Sequence, residues 1–236
     1  MSNFSQSPQI SIKNKLIIFI EGALVYAFIY NPWTKFPYTL LITTVVILLL
    51  TYARTRSLKA IGLWNNYSFV KVLATALLAF LLLEPVMDFI VQPLVNKLCH
   101  EVPDYSGFDK LKHDSSRYIK YISFVWISAA IGEEVLFRGY LFDRFKKLLP
   151  DGRFKTIAII LLTAILFSLP HYYQGTAGLV MTFFFGIAFG ALFVKTRYNL
   201  WVNIIVHGLV DSLFLTLVYT DNLSYYEIVN KHLLGY

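Results

Sequence analysis

Acidic, basic and imidazole side chains recur at regular spacing inside three strongly apolar segments of this 236-residue chain. The three groups are Glu133-Glu134 with Arg138, Phe167 with His171, and Asn203 with His207 and Asp211. A charged side chain at the centre of a bilayer costs about 2.5–3.5 kcal/mol on insertion scales, so such residues are rare in apolar spans and are usually functional. We therefore treat the three groups as candidates for one functional site.

The first group contains two adjacent glutamates that have to point in different directions, because neighbouring residues on a helix are about 100° apart. Glu134 and Arg138 stand at i and i+4 with the acid first, the favourable order for an ion pair. That pair would neutralise Glu134 and leave Glu133 free to face a cavity, where a desolvated carboxylate is suited to act as a general base. Taken alone, the pair could equally be a structural ion pair.

The other two groups supply imidazoles. His171 lies near the end of its apolar run, and Pro170 would bend the chain there and aim the ring inward. Asn203, His207 and Asp211 form a polar stripe on one face of their helix. Taken alone, His171 could instead be an interfacial histidine. Taken alone, the polar stripe could instead form hydrogen bonds between helices. If all three groups form one site, Glu133, His171 and His207 should converge on one water-accessible pocket.

Composition identifies the elements that must position these residues. The chain is 57% hydrophobic and only 15% charged, against about 25% charged in soluble domains. We predict an all-α transmembrane bundle that forms a single domain over 1–236, with the motif-bearing core at 118–220. A span needs about 17–25 apolar residues, and seven segments qualify: roughly 15–31, 37–54, 69–92, 118–141, 154–171, 177–195 and 199–220.

Three acids outside the motifs also lie in or near apolar runs: Glu21, Glu84 and Asp88. None has a partner at helical spacing, so we expect packing or helix-end roles for them. Glu84-Pro85 and Asp88 fall inside the third segment, which is therefore expected to be kinked or to end early. In the sixth segment, Gly178, Thr182, Gly186 and Gly190 form one small-residue face that would let another helix approach closely.

The net charge of +7 is explained by membrane topology, and we predict no nucleic-acid partner. The basic residues concentrate in alternate loops: Arg54, Arg56 and Lys59; Arg144, Lys146, Lys147, Arg153 and Lys155; Lys195 and Arg197. These loops and the N-terminus are expected to be cytoplasmic, in a bacterial inner membrane, although the basic loop 96–117 departs from the alternation. Cys99 is the sole cysteine, which rules out an intrachain disulfide.

The three motifs, in this order, resemble those of the CPBP family, the CAAX proteases and bacteriocin-processing enzymes also called the Abi family. Its pattern is Glu-Glu-x-x-x-Arg, then Phe-x-x-x-His, then His-x-x-x-Asn/Asp on successive membrane helices, and the likeness covers about residues 118–220. Other intramembrane protease signatures, such as H-E-x-x-H or a Gly-x-Gly-Asp setting, are absent from the sequence.

The resemblance implies hydrolysis of a peptide bond in a peptide or lipidated-peptide substrate, within membrane lipid. Glu133 and His171 would activate a water, His207 and Asp211 would stabilise the oxyanion, and Glu134 with Arg138 would position the site, beside Phe167 and Asn203. Asp211 stands where prenyl-protease members typically have Asn, so it either donates when protonated or orients His207.

Cofactor use and activity stay open at this point. Zinc on Glu133, His171 and His207 is one possibility, and a metal-independent glutamate protease is the preferred one. A non-catalytic immunity or scaffold protein of the same fold and a proton-coupled transporter are the alternatives to a protease. The sequence does not define the oligomeric state.

Overall fold

The fold is an all-α bundle, seen in a computed structural model that describes residues 10–63 and 68–226. Seven long helices run through these two ranges, joined by short 3₁₀ turns, and the ranges contain no β-strand. The helices are α1 Ile12–Ala27, α2 Tyr38–Thr55, α3 Phe69–Cys99, α4 115–148, α5 Lys155–Ser168, α6 Gly175–Lys195 and α7 Leu200–Tyr219. The predicted fold class is therefore confirmed.

Four helical stretches in the described ranges are long and apolar enough to cross a membrane: Tyr38–Thr55, Phe69–Cys99, Lys155–Lys195 and Leu200–Tyr219. The third of these is 41 residues long and contains both α5 and α6. Seven separate spans are thus not confirmed, because α1 has only 16 residues and α4 carries several charged side chains. Many large apolar side chains nevertheless face outward, among them Leu24, Leu81 and Leu82 at 64–66% exposure, as an integral membrane protein requires.

Two helices contain π-helical segments, in which the backbone hydrogen bonds skip one residue more than in an α-helix. In α3 the segment is Met87–Val91, just after Pro85. The chain then continues as α-helix to Cys99, so of the two expected alternatives the span does not end early, and its irregularity is the π segment that follows Pro85. In α4 the segment is Val125–Leu141, between α-helical pieces Ser115–Phe124 and Phe142–Leu148. It contains the whole Glu-Glu-x-x-x-Arg motif.

Helix α4 is the central element of the bundle. It contacts α2 and α7, while α3 packs along α7 and α5 along α6. Its side chains Ala130, Val135, Leu136 and Tyr140 are fully buried. A motif carried by such a helix is removed from lipid on all sides.

Small residues mark the closest helix crossings. A Cβ atom added at Gly186 would lie 2.8 Å from Ala164 of α5, and one added at Gly190 would lie 3.1 Å from Ile160. Helix α5 therefore approaches the predicted small-residue face of α6 at Gly186 and Gly190. On α7, Gly208 leaves room for the Trp126 ring, which would stand 2.6 Å from an added Cβ atom.

Candidate active site

Glu134 and Arg138 form the buried base of the site. The two side chains are 0% and 1% exposed, and Arg138 Nη1 donates to Glu134 Oε1 at 2.8 Å. The guanidinium also lies 4.2 Å from the centre of the Phe167 ring and 5.1 Å from that of Phe189, close enough for cation–π attraction. The ion pair expected from the i,i+4 spacing is present, and it is enclosed by aromatic rings.

Glu134 also orients His207. The Nδ1 atom of His207 lies 2.9 Å from Glu134 Oε1, and an ionised carboxylate can only accept a hydrogen bond, so Nδ1 is the donor. Asn203 Nδ2 donates to Glu134 Oε2 at 3.3 Å and to the Phe189 carbonyl at 2.8 Å. The polar stripe of α7 thus binds α4 and α6, and the imidazole is fixed with Nε2 turned away from Glu134.

The Nε2 atom of His207 faces two further carboxylates. It lies 3.4 Å from Asp211 Oδ2 and 3.9 Å from Glu133 Oε2. Glu133 therefore points in a different direction from Glu134, although both carboxylates approach the same imidazole from opposite sides. Carboxylates around one ring stabilise a positive charge on it and polarise its N–H groups.

His171 approaches from the turn that links α5 to α6. This turn is the 3₁₀ segment Leu169–Gln174, which begins with Leu169-Pro170. The Nδ1 atom of His171 lies 3.1 Å from the Phe167 carbonyl; a carbonyl only accepts, so Nδ1 donates and Nε2 is turned outward. The Phe167 ring centre lies 5.5 Å from the His171 ring and 6.1 Å from the His207 ring.

Two cavities meet at this cluster. The first, which we call the acidic cavity, has a volume of about 130 Å³ and is lined by Glu84, Asp88, Asp211, His171 and His207 together with apolar and polar neighbours. The second, the apolar cavity, has a volume of about 360 Å³ and is lined by Glu133, His171, Lys35 and mainly apolar side chains such as Phe36 and Phe137. His171 belongs to the walls of both.

The structure thus brings all the sequence-predicted residues into one contiguous cluster, but it does not place them in one chamber. Glu133 lines the apolar cavity, His207 and Asp211 line the acidic cavity, and His171 stands between them. Glu134, Arg138 and Asn203 are buried and line neither cavity. The Phe167 ring contacts both the His171 and the His207 rings.

Sequence reasoning missed two residues of this region, Glu84 and Asp88, for which packing or helix-end roles were expected. Both line the acidic cavity together with Asp211. Their partners come from other helices, so no helical spacing reveals them; the available signal was the presence of two acids inside one apolar span. Glu21 also has partners from other elements: it binds Arg54 of α2 and accepts from Tyr140 of α4 at 2.5 Å.

Zinc needs three or four ligands around a common point. Across residues 10–63 and 68–226, no three side chains of the His, Cys, Asp and Glu types are grouped so that they could hold an ion. Glu133, His171 and His207 are thus not grouped as a three-ligand set in this structure.

Comparison with known proteins gives two matches. Residues 115–213 match the family described as type II CAAX prenyl endopeptidase Rce1-like. A curated relative, CAAX prenyl protease 2 of Saccharomyces cerevisiae, is 26% identical over 168 residues, which cover 63% of this chain and 51% of the relative. The chain therefore spans about half the length of this relative. No solved structure matches.

Proposed function

We propose that the chain, in which residues 115–213 match the Rce1-like CAAX prenyl endopeptidase family, is an intramembrane endopeptidase in which Glu133 activates the attacking water. The observation that carries the proposal is the position of Glu133. It is a nearly buried carboxylate, 14% exposed, that lines a cavity and lies 3.9 Å from an imidazole whose other nitrogen is anchored on a buried ion pair.

In the proposed reaction, a water bound between Glu133 and His171 loses a proton to Glu133 and attacks the scissile carbonyl carbon. The carbonyl oxygen becomes an oxyanion that accepts a hydrogen bond from His207 Nε2–H. A donor held in place before the reaction, in a site that excludes bulk water, is the most effective way to stabilise such a charge. Glu133 then returns the proton to the leaving amine as the C–N bond breaks.

The remaining groups position these atoms. Glu134 holds the Nδ1–H of His207, and Arg138 balances the charge of Glu134. For Asp211, the 3.4 Å distance to His207 Nε2 supports the role of orienting and charging the imidazole rather than donating to the oxyanion itself. No step requires a metal, in agreement with the donor arrangement.

The substrate we propose is a prenylated peptide. The family description and the name of the yeast relative both refer to CAAX prenyl substrates, and the larger cavity is lined mainly by aliphatic and aromatic side chains that suit an apolar group. For the orientation, we propose a cytoplasmic N-terminus on the distribution of lysine and arginine in the loops; the bacterial inner membrane stays a proposal from the sequence.

The test is cleavage of fluorogenic peptides by purified protein in detergent, with prenylated and unmodified versions of each peptide. We expect Glu133→Gln, which keeps the shape of the side chain, to lower kcat by about 100-fold or more, the usual contribution of a general base, and His171→Ala to lower it too. Asp109→Asn changes an acid on the exposed turn Ser106–Leu111 and is the matched control. Unchanged turnover in both Glu133→Gln and His171→Ala would refute the mechanism, and equal cleavage of both peptide versions would refute the prenylated substrate.

A further inference from the structure

Two carboxylates of α3 are buried in the acidic cavity without a full set of partners. Glu84 and Asp88 are 5% and 3% exposed, and the Oε2 atom of Glu84 and the Oδ2 atom of Asp88 accept no hydrogen bond from any residue that the structure describes. Both side chains contribute to the cavity wall. Buried polar atoms without protein partners are rare in folded proteins, and each needs an explanation such as a bound water, ion or ligand group.

The helix places these two acids close together. They stand at i and i+4, on either side of the point where α3 changes from α-helix to the π segment Met87–Val91. Like charges at this spacing destabilise a helix, and burial in an apolar surrounding adds a desolvation cost for each. Helix α7 contributes a third carboxylate, Asp211, to the lining of the same cavity.

Within residues 10–63 and 68–226, no fixed positive charge offsets this group. In the described part of the chain, no lysine or arginine lines the acidic cavity, and its basic side chains are the imidazoles of His171 and His207. Three other largely buried acids are each paired with an arginine or lysine, Glu134 with Arg138, Glu21 with Arg54 and Asp143 with Lys147, whereas Glu133 approaches only the imidazole of His207. Glu84 and Asp88 form no such ion pair with a described residue.

We infer that the acidic cavity receives a cationic side chain of the substrate, the ammonium of lysine or the guanidinium of arginine, and that Glu84 and Asp88 select for it. This inference rests on the proposed protease function, because it places the cation next to the scissile bond: Asp211 belongs to the cavity wall and lies 3.4 Å from the His207 nitrogen that faces the reaction. The volume of about 130 Å³ has room for several waters, and so for a cationic head group with part of its stem.

The experiment measures kcat/KM for peptides that are identical except at one residue, which is lysine, glutamine or glutamate. The substituted residue is moved through three positions on each side of the bond that is cut. The proteins are the unmodified chain, Glu84→Gln, Asp88→Asn, the double variant, and Asp109→Asn as a control acid outside the cavity. The quantity compared is the ratio of lysine to glutamine peptide within each protein, so a general loss of activity or of folded protein cancels.

A second measurement separates this inference from the protease function. Fluorescent lysine and glutamine peptides are titrated against Glu133→Gln protein, with and without the Glu84→Gln and Asp88→Asn changes, and their binding is measured without cleavage. Removal of a close charge pair at an interface typically weakens binding by about tenfold or more. A difference of this size is measurable both in the ratio of kcat/KM values and in the binding titration.

The expected result is a lysine preference of about tenfold or more at one position, lost in the double variant and kept in Asp109→Asn. Glu84→Lys should shift the preference toward the glutamate peptide. Equal cleavage and equal binding of lysine and glutamine peptides at every position would overturn the inference while the protease function stands. If the unmodified chain cleaves no peptide but its binding preference depends on Glu84 and Asp88, the protease function fails and the cation site stands.

Discussion

The buried ion pair on α4 allows a quantitative prediction. Replacing Arg138 with methionine leaves the Glu134 carboxylate buried without its cation, and replacing Glu134 with glutamine leaves the guanidinium unpaired. Breaking a buried pair from one side costs about 3–5 kcal/mol. Both side chains are at most 1% exposed, so water cannot take the place of the missing partner, and we expect each single variant to lose a free energy of unfolding in this range.

The double variant, Glu134→Gln with Arg138→Met, contains no unpaired charge. Replacing both members of a buried pair with neutral groups is often neutral or stabilising. What remains is the lost attraction between the guanidinium and the Phe167 and Phe189 rings, about 2 kcal/mol when desolvated. The double variant should therefore be more stable than the sum of the two single losses, by at least about 2 kcal/mol.

The assay is reversible unfolding in mixed detergent and sodium dodecyl sulfate, read as a double-mutant cycle. Glu134→Gln alters the contacts of residue 134 with Asn203 and His207 whether or not Arg138 is present, so this effect cancels in the cycle. Asp143 and Lys147 provide a matched control at the same spacing on the same helix, at 2.6 Å with Lys147 35% exposed. Lys147→Met should cost less than about 1 kcal/mol. The reasoning would be refuted if the double variant lost as much free energy of unfolding as the two single variants together. It would also be refuted if each single variant lost as little as Lys147→Met.

Three further predictions concern other parts of the chain. Cleavage should continue in the presence of a zinc chelator; activity that is lost on chelation and restored by zinc would contradict the metal-independent mechanism. Gly186→Ala should destabilise the protein by about 1–3 kcal/mol, because its Cβ atom would lie 2.8 Å from Ala164, whereas Gly107→Ala, with open space around it, should change nothing in the same unfolding assay. Glu21→Gln should cost about 1–3 kcal/mol by weakening the links of α1 to Arg54 and Tyr140, with cleavage per folded molecule unchanged; reduced turnover would show that α1 acts on the site.

Local spacing predicted the parts of the site that lie on a single helix. The Glu134–Arg138 pair and the approach of Asp211 to His207 are both i,i+4 contacts, so they depend on little beyond the helical repeat. The likeness to a known family added the order of the motifs. The all-α class followed from composition, since the excess of apolar residues needs a lipid surrounding.

Contacts between helices were not predictable in this way. Glu21 binds Arg54 and Tyr140, 33 and 119 residues away, and Glu84 faces α7 across a cavity, so nothing in either local sequence shows the partner. The π segments were missed for a related reason. They change the direction of side chains by a small rotation per residue, which the packing of neighbouring helices decides.

The position of His171 determines how a long substrate could lie. Because this imidazole lines both cavities, a peptide with its basic residue in one chamber and its lipid in the other must pass directly over the ring. Hydrolysis would then take place at His171, between the acidic cavity and the apolar cavity, and the two product fragments would lie on opposite sides of this residue. Each product fragment could then dissociate from its own cavity independently of the other.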